Sequence, residues 1–373
     1  MKNLISTQDQ LGALCEQLAQ QSHLAVDTEF IREKTYWPQL CLIQVAWNSG
    51  AVAIDPLAGL DLSPFLALLA DTKITKIFHA ARQDLEIFYG LMGKLPAPIV
   101  DTQIMALALG YSDQMAYDRL MAAILKVKLS KGSRFTDWAR RPLSDAQMEY
   151  ALADVIHLLD AYHVMEKELQ KRGRGNWLTA EYDAMLHDNN YDVNPNTVWQ
   201  RIKIRSDDPK VLGRLRALAA WREAEAQRKN LPRGWMMKDE VITELALSAP
   251  KNLDAINNIR GLAKMPEDRA QTLIDLIREA EPIDVPAQTN GQPAPEAVIE
   301  LLRVLLRHVS ESEDINPRLI ASPADLNNFA LGLDSPIAHG WRDEVFGHHA
   351  RALMNGKIAL QIKSGRLVLI DVA

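Results

Sequence analysis

Five side chains in this sequence have the types and spacings for metal-assisted chemistry, four of them carboxylates that could capture a divalent cation. Asp27 and Glu29 lie two apart in Leu24-Ala25-Val26-Asp27-Thr28-Glu29-Phe30, a run that reads as a β-strand. The period of two puts both carboxylates on one face of the sheet. Two acids on an otherwise apolar strand repel each other in low dielectric, and a shared cation relieves that cost. A strand-end acid pair facing water is the alternative. Asp84 falls in the first turn of a helix that follows a later strand, where the helix dipole alone favours an acid. Tyr150 and Asp154 are four apart on a long helix, so they share a face. That helix carries an apolar stripe of Met148, Leu152, Val155, Leu159 and Tyr162, with Ala151 and Leu158 adding cover elsewhere. An Asp in such a helix needs a partner, and no Lys or Arg lies three or four positions away. A metal would serve; so would an Arg brought in by the fold.

The elements that must position these residues are legible in the pattern. Strands are expected at Leu24–Phe30, Leu40–Trp47 and Ala51–Ile54, the last two joined by Asn48-Ser49-Gly50 as in a hairpin. A helix after Ser63-Pro64, a strand at Ile74–Phe78, a helix from about Ala81 and a strand near Ile99-Val100 follow. Ser144-Asp145-Ala146-Gln147 has the capping-box form and opens a helix expected to run to about Gly173. Strands first and α/β alternation afterwards predict a mixed α/β sheet with helices on both faces. Beyond Lys171-Arg172-Gly173-Arg174-Gly175 the pattern turns all-α, with turns at Pro232-Arg233-Gly234, Ala249-Pro250 and Arg260-Gly261. Pro286, Gly291, Pro293 and Pro295 mark a linker over 286–295, after which a clear amphipathic helix begins at Glu296. The end, with Ser364-Gly365 between two apolar runs, reads as a β-hairpin.

A chain of 373 residues suits two or three domains. An apolar share of 47% with 24% charged residues is ordinary for a globular protein and excludes disordered and collagen-like classes. No apolar run approaches the ~18 residues of a membrane span. The N-terminus lacks the apolar core of a secretory signal, and Cys15 and Cys41 make no disulfide framework, so a cytoplasmic protein is expected. A net charge of −6 argues against a general nucleic-acid coat protein. It does not argue against an enzyme with an acidic site and local positive patches. One such patch is evident: Trp199–Arg233 holds ten Lys or Arg against four Asp or Glu. Arg201, Lys203, Arg205, Lys210, Arg214 and Arg216 could follow an RNA backbone, or simply form a solvated helix face.

Asp-x-Glu on a first strand, Asp in the helix after a later strand, and Tyr-x-x-x-Asp on a long helix together resemble the DEDD exonuclease superfamily, in its tyrosine subclass. The histidine subclass would need His at the position of Glu149. The closer resemblance is to the bacterial ribonuclease D family. It is carried by Val26–Phe30 with Tyr36-Trp37-Pro38-Gln39-Leu40-Cys41-Leu42-Ile43-Gln44, by Phe78-His79-Ala80-Ala81-Arg82-Gln83-Asp84-Leu85, and by Thr136–Leu143 leading into Tyr150–Asp154. The match spans roughly 1–205. Leu215, Leu218, Trp221, Asn230-Leu231-Pro232-Arg233, Ile242 and Ile256–Gly261 resemble the HRDC domain over 208–285. Residues 296–373 would hold a second HRDC-like domain, best matched at Gly340–Glu344, although the hairpin departs from its helical pattern.

The resemblance implies a ribonuclease H-like exonuclease domain over 1–175, a helical connector over 176–207, and HRDC helices beyond. It implies a 3′→5′ exoribonuclease that releases nucleoside 5′-monophosphates and trims the 3′ ends of tRNA precursors and other stable RNAs. Two Mg²⁺ or Mn²⁺ ions would be held by Asp27, Glu29, Asp84 and Asp154, hard oxygen ligands suited to them. Tyr150 would orient the attacking water, its usual pKa near ~10 making it a poor base at neutral pH. The expected partners are single-stranded RNA 3′ ends and tRNA precursors, with no membrane and a monomeric chain. Alternatives are an exonuclease directed at DNA and a catalytically silent RNA-binding scaffold. Asp101 reads as a helix N-cap. His79 and His157 read as structural, and His339, His348 and His349 have no zinc-spaced companions.

Overall fold

The computed structural model describes residues 3–129, 132, 136–262, 265–283 and 294–372, so most of the expected linker lies outside the described residues. Two compact units emerge: Met1–Thr28 with Leu42–His187 and Asn290–Ala373, and Glu29–Cys41 with Asp188–Thr289.

The strands form a six-stranded mixed sheet ordered β1 (Leu4–Ile5), β4 (Gly50–Ile54), β3 (Gln39–Trp47), β2 (His23–Ile31), β5 (Thr75–Phe78), β6 (Ile99–Asp101). The three strands expected first are β2, β3 and β4, and β3 and β4 pair antiparallel with Trp47 opposite Gly50. Nearly every residue of β3 is buried, as a central strand covered on both faces requires. The two-residue β1 adds a parallel edge beside β4 and was too short to show a period. β2, β5 and β6 run parallel, so their carboxyl ends share one edge.

Helices α1 (Gln8–Leu18), α2 (Ser63–Leu69), α3 (Arg82–Met92), α4 (Thr102–Ala108), α5 (Tyr117–Ile124) and α6 (Asp145–Lys171) accompany the sheet. α6 begins at the expected capping box, where Ser144 Oγ accepts from the Gln147 amide and the Gln147 side chain accepts from the Ser144 amide. Its start is also tied by Arg141, whose guanidinium donates two 2.7 Å hydrogen bonds to the buried Asp55 carboxylate. Val155, Leu158, Tyr162 and Met165 of α6 are buried in one core with residues of α4 and α5 and with Leu302, Leu305 and Phe346 from the C-terminal segment.

That segment therefore shares a core with the sheet unit. After α7 (Thr179–Met185) the chain passes through the second unit and returns in α13 (Glu296–Glu313). Arg174 links the two stretches, with Nη1 donating to the Ala108 carbonyl at 2.8 Å and to that of Asp314 at 3.2 Å, and Nη2 donating to the Glu313 carbonyl. Trp177 and Trp341 stack at 4.3 Å nearby. Arg174→Ala leaves the buried Ala108 carbonyl and two part-buried carbonyls without this donor, at a cost of about 2–4 kcal/mol. A urea melt showing less than half a kcal/mol would contradict this reading of the anchor. The chain ends in the expected hairpin, β7 (Ile358–Lys363) with β8 (Arg366–Asp371). Ser364 and Gly365 both have positive φ, the mirror-image turn that suits the strand twist.

In the second unit α8 (Pro209–Lys229) packs with α9 (Arg233–Met236), α10 (Asp239–Ser248), α11 (Leu253–Asn257) and α12 (Glu267–Glu279). Leu215, Leu218, Ile242, Leu245, Ile256 and Leu273 form its core. Asp208 caps α8 and Pro209 opens it. Gly213 lies so close to the Glu281 carbonyl that a Cβ would stand 2.1 Å from it, so any side chain there forces α8 away from that backbone. Among the described residues no helix is long and apolar enough to cross a membrane.

Candidate active site

The carboxyl ends of parallel strands are where open α/β sheets usually place ligands. Here that edge gathers acids. Asp27 and Glu29 project from one face of β2, and Asp154 approaches from α6. One carboxylate oxygen of each lies within 4.8 Å of the others, and all three residues are half-buried. Among the described residues this is the one group of at least three potential metal ligands. Asp84, in the first turn of α3, stands outside that group but next to it: Thr28 Oγ1 donates to Asp84 Oδ1 at 2.5 Å, and Asp84 feels the Asp27 charge. Tyr150 lies one turn before Asp154 on α6, its ring 6.1 Å from that of Trp138.

The electrostatics show how burial acts on these acids. Burial pushes the Asp27 carboxyl up to about 6, partly countered by the Thr28 backbone amide. Burial, and then the negative charge of Asp27, drive Asp84 well above the ordinary carboxylate range. Burial and mutual repulsion make the charged form of Asp27 and Asp84 costly, and a bound cation would offset that cost. Hard oxygen donors at this separation fit a divalent ion, so the residues present suit the metal that the sequence leads one to expect.

Supporting residues surround the acids. Asp101 caps α4 as expected, accepting from Gln103 N at 2.8 Å, and it also accepts from Ala80 N and Ala81 N at 3.0 and 2.9 Å. Those two bonds hold Ala80 in the left-handed region (φ 57°) and set the turn from which α3 delivers Asp84. His79 uses Nδ1 with Thr102 Oγ1 at 2.9 Å and Nε2 with the Met115 carbonyl at 3.2 Å, a structural arrangement. His339 pairs with Asp334, and His348 Nδ1 bonds the Asp343 carbonyl.

Tyr117 was not singled out by sequence reasoning. Its hydroxyl donates to the backbone carbonyl of Asp154 and, at 3.4 Å, to that of Ala153, and its ring packs edge-on to His79. Burial first, and then the charges of Asp154, Asp27 and Tyr150, keep its phenol protonated. The bond to a helix carbonyl fixes the turn that carries Asp154. No local spacing signals it, because Tyr117 reaches α6 from a separate helix. Tyr117→Phe is expected to slow 3′ shortening about 10-fold and to raise the metal concentration needed for half-maximal rate. Unchanged metal dependence with a normal melting temperature would show that this hydroxyl positions nothing.

Comparison with known proteins agrees with this geometry. A 3′-5′ exonuclease family matches residues 3–170, and the HRDC domain family matches 211–275. Fold and acids together define an exonuclease of the DEDD type joined to an HRDC domain, a class that implies divalent metal use. The ribonuclease D of Sphingobium indicum is 44% identical over 98% of this chain and 97% of its own length. That of Gluconacetobacter diazotrophicus is 41% identical over 98% and 95%. The crystal structure of Escherichia coli RNase D, an exoribonuclease involved in structured RNA processing, has a TM-score of 0.80 at 30% identity, covering 94% of this chain and 98% of that one. The chain belongs to the ribonuclease D family and is a 3′–5′ exoribonuclease.

Proposed function

We propose that Asp27, Glu29, Asp84 and Asp154 hold two Mg²⁺ or Mn²⁺ ions at which RNA is shortened by one nucleoside 5′-monophosphate at a time. The observation that carries this reading is the approach of the Asp27, Glu29 and Asp154 oxygens to within 4.8 Å of one another. When bound, the ions would supply Lewis acidity at the scissile phosphate and a lowered pKa for water. The chain's own groups do the rest. The four carboxylates would hold the ions through their oxygens. Tyr150 hydrogen-bonds the attacking water and aligns it with phosphorus. A new O–P bond forms, the P–O3′ bond breaks, and the departing 3′ oxygen takes a proton, so the released nucleotide keeps its 5′-phosphate.

We read the domains as an exonuclease domain over 1–175, a connector over 176–207, an HRDC domain over 208–285, a linker over 286–295 and a second HRDC-like domain over 296–373. The natural substrates on this reading are the 3′ ends of tRNA precursors and other stable RNAs in the cytoplasm, met by a monomer. A relative that is an exoribonuclease involved in structured RNA processing supports that choice. Digesting a short RNA and separating the products by anion exchange tests the chemistry. Nucleoside 5′-monophosphates are expected; nucleoside 3′-monophosphates would mean attack from the opposite side of the phosphate.

A further inference from the structure

Of the eight tryptophans, Trp37 and Trp235 alone are strongly exposed, at 42% and 63%. An exposed indole forgoes the stabilisation of burying a large apolar ring, so such a ring held in a fixed place invites a ligand explanation. Trp37 is held. Asn230, in the left-handed conformation that ends α8 (φ 51°), accepts from the Tyr36 and Trp37 amides at 3.1 and 3.0 Å through one side-chain oxygen. The Tyr36 hydroxyl is buried and donates to Glu223 Oε1 at 2.6 Å. Against that anchored phenol the Trp37 ring packs edge-on at 4.7 Å. The backbone is thus locked from two sides and the phenol is buried, yet the indole next to it is left in water. It is also eight residues beyond Glu29 in the same compact unit.

Trp235 lies in the same unit. It follows Arg233 in the short helix α9, where its amide donates to the Pro232 carbonyl at 2.8 Å. Arg233 is exposed and close enough to Tyr36 for its charge to act on the phenol. The unit therefore offers two exposed indoles, one on an anchored backbone, and an exposed guanidinium near the phenol that packs against Trp37. That combination is complementary to a single strand of RNA, whose bases stack on aromatic rings and whose phosphates attract arginine.

We propose that Trp37 and Trp235 are stacking platforms for unpaired nucleobases of the substrate RNA, with Arg233 contacting its backbone. Each ring contributes independently and without sequence preference, because every base presents a π-face. The proposal rests on the exoribonuclease assignment and not on the roles given to the acids, so it survives or fails separately from them.

The test uses the full chain and a 5′-fluorescein single-stranded RNA of eight nucleotides, with anisotropy read in EDTA so that no cleavage intervenes. Trp37→Leu and Trp235→Leu keep an apolar side chain and remove the π-face; Trp37→Phe and Trp235→Phe keep a ring. Each Leu variant is expected to bind about 10-fold more weakly, the size of one lost base stack, and each Phe variant within about 3-fold of the parent. Blunt double-stranded RNA is expected to bind all five proteins alike, and in Mg²⁺ the loss on the eight-mer is expected in KM. Leu variants that bind the eight-mer as tightly as their Phe counterparts would overturn the proposal and leave the exposed indoles to a protein partner. Because Trp235 is the more exposed ring, its pair of variants decides the question even if substitution at Trp37 disturbs the Tyr36 anchor.

Discussion

Asp154→Asn is expected to slow 3′ shortening by about 10³-fold, roughly 4 kcal/mol of transition-state stabilisation. The amide keeps the shape of the carboxyl and loses its negative charge, so the cluster of Asp27, Glu29 and Asp154 drops from three anionic donors to two. Helix α6 keeps its capping box and its core of Val155, Leu158 and Tyr162, none of which involves the Asp154 side chain. RNA affinity measured in EDTA is therefore expected to stay within about 3-fold, since phosphate contacts by Lys and Arg dominate it. Single-turnover rates and anisotropy on the same preparation check the pair of statements. A variant with unimpaired rate would remove Asp154 from the site. A variant that lost rate and binding together would point to a damaged fold instead.

The second large effect concerns stability without metal. Asp27 is raised from 3.8 to about 6 in the folded chain, chiefly by burial. A carboxyl with a raised folded pKa binds more protons when folded, so its contribution is complete below about pH 4 and is lost as pH climbs through about 6. Asp84 is raised further by burial and by Asp27, and acts in the same direction. In EDTA the parent protein thus carries a penalty at pH 7.5 that it does not carry at pH 4. Asp27→Asn removes the charge at its source and relieves its neighbour. The full shift at Asp27 corresponds to about 3 kcal/mol, and water reaching a half-buried group trims this to about 1–2 kcal/mol. In EDTA at pH 7.5 the variant is expected to melt a few degrees above the parent, and at pH 5 the gap should narrow. Millimolar Mn²⁺ should raise the parent's melting temperature and leave the variant nearly where it was. A parent as stable as the variant at every pH in EDTA would mean that the acids are better solvated than their burial implies.

The features that could be read in advance are local ones. Asp27 and Glu29 share a face because a strand has period two, and the hairpin at Ser364-Gly365 follows from turn chemistry. The long helix was legible because Ser144 and Gln147 cap it. The residues that escaped notice act across distant segments. Thr28 points away from the face shared by its neighbours and so finds Asp84, 56 residues on. Tyr117 reaches the Asp154 carbonyl from a different helix. Asp101 was read as a cap, but its hold on Ala80 and Ala81 needs β5 and β6 to lie side by side. The C-terminal helices carry an amphipathic pattern that says a face is buried. It does not say that the partner is α6 through Leu302, Leu305 and Phe346. Arg174, in what read as punctuation after α6, is the side chain that joins them. Period and capping reveal an element; the choice of its neighbour is set by topology.

The central claim is that the acids at the carboxyl edge of the sheet hold the metal with which this enzyme shortens RNA from its 3′ end. The most direct measurement is a time course on a 5′-labelled single-stranded RNA with a free 3′-OH. It is run with Mg²⁺ or Mn²⁺, with EDTA, with metal restored after EDTA, and with an Asp27→Asn, Glu29→Gln double variant. The account predicts a ladder that shortens one nucleotide at a time, stops in EDTA, resumes when metal returns, and is absent in the variant. A ladder that persists in EDTA or in the double variant would contradict it.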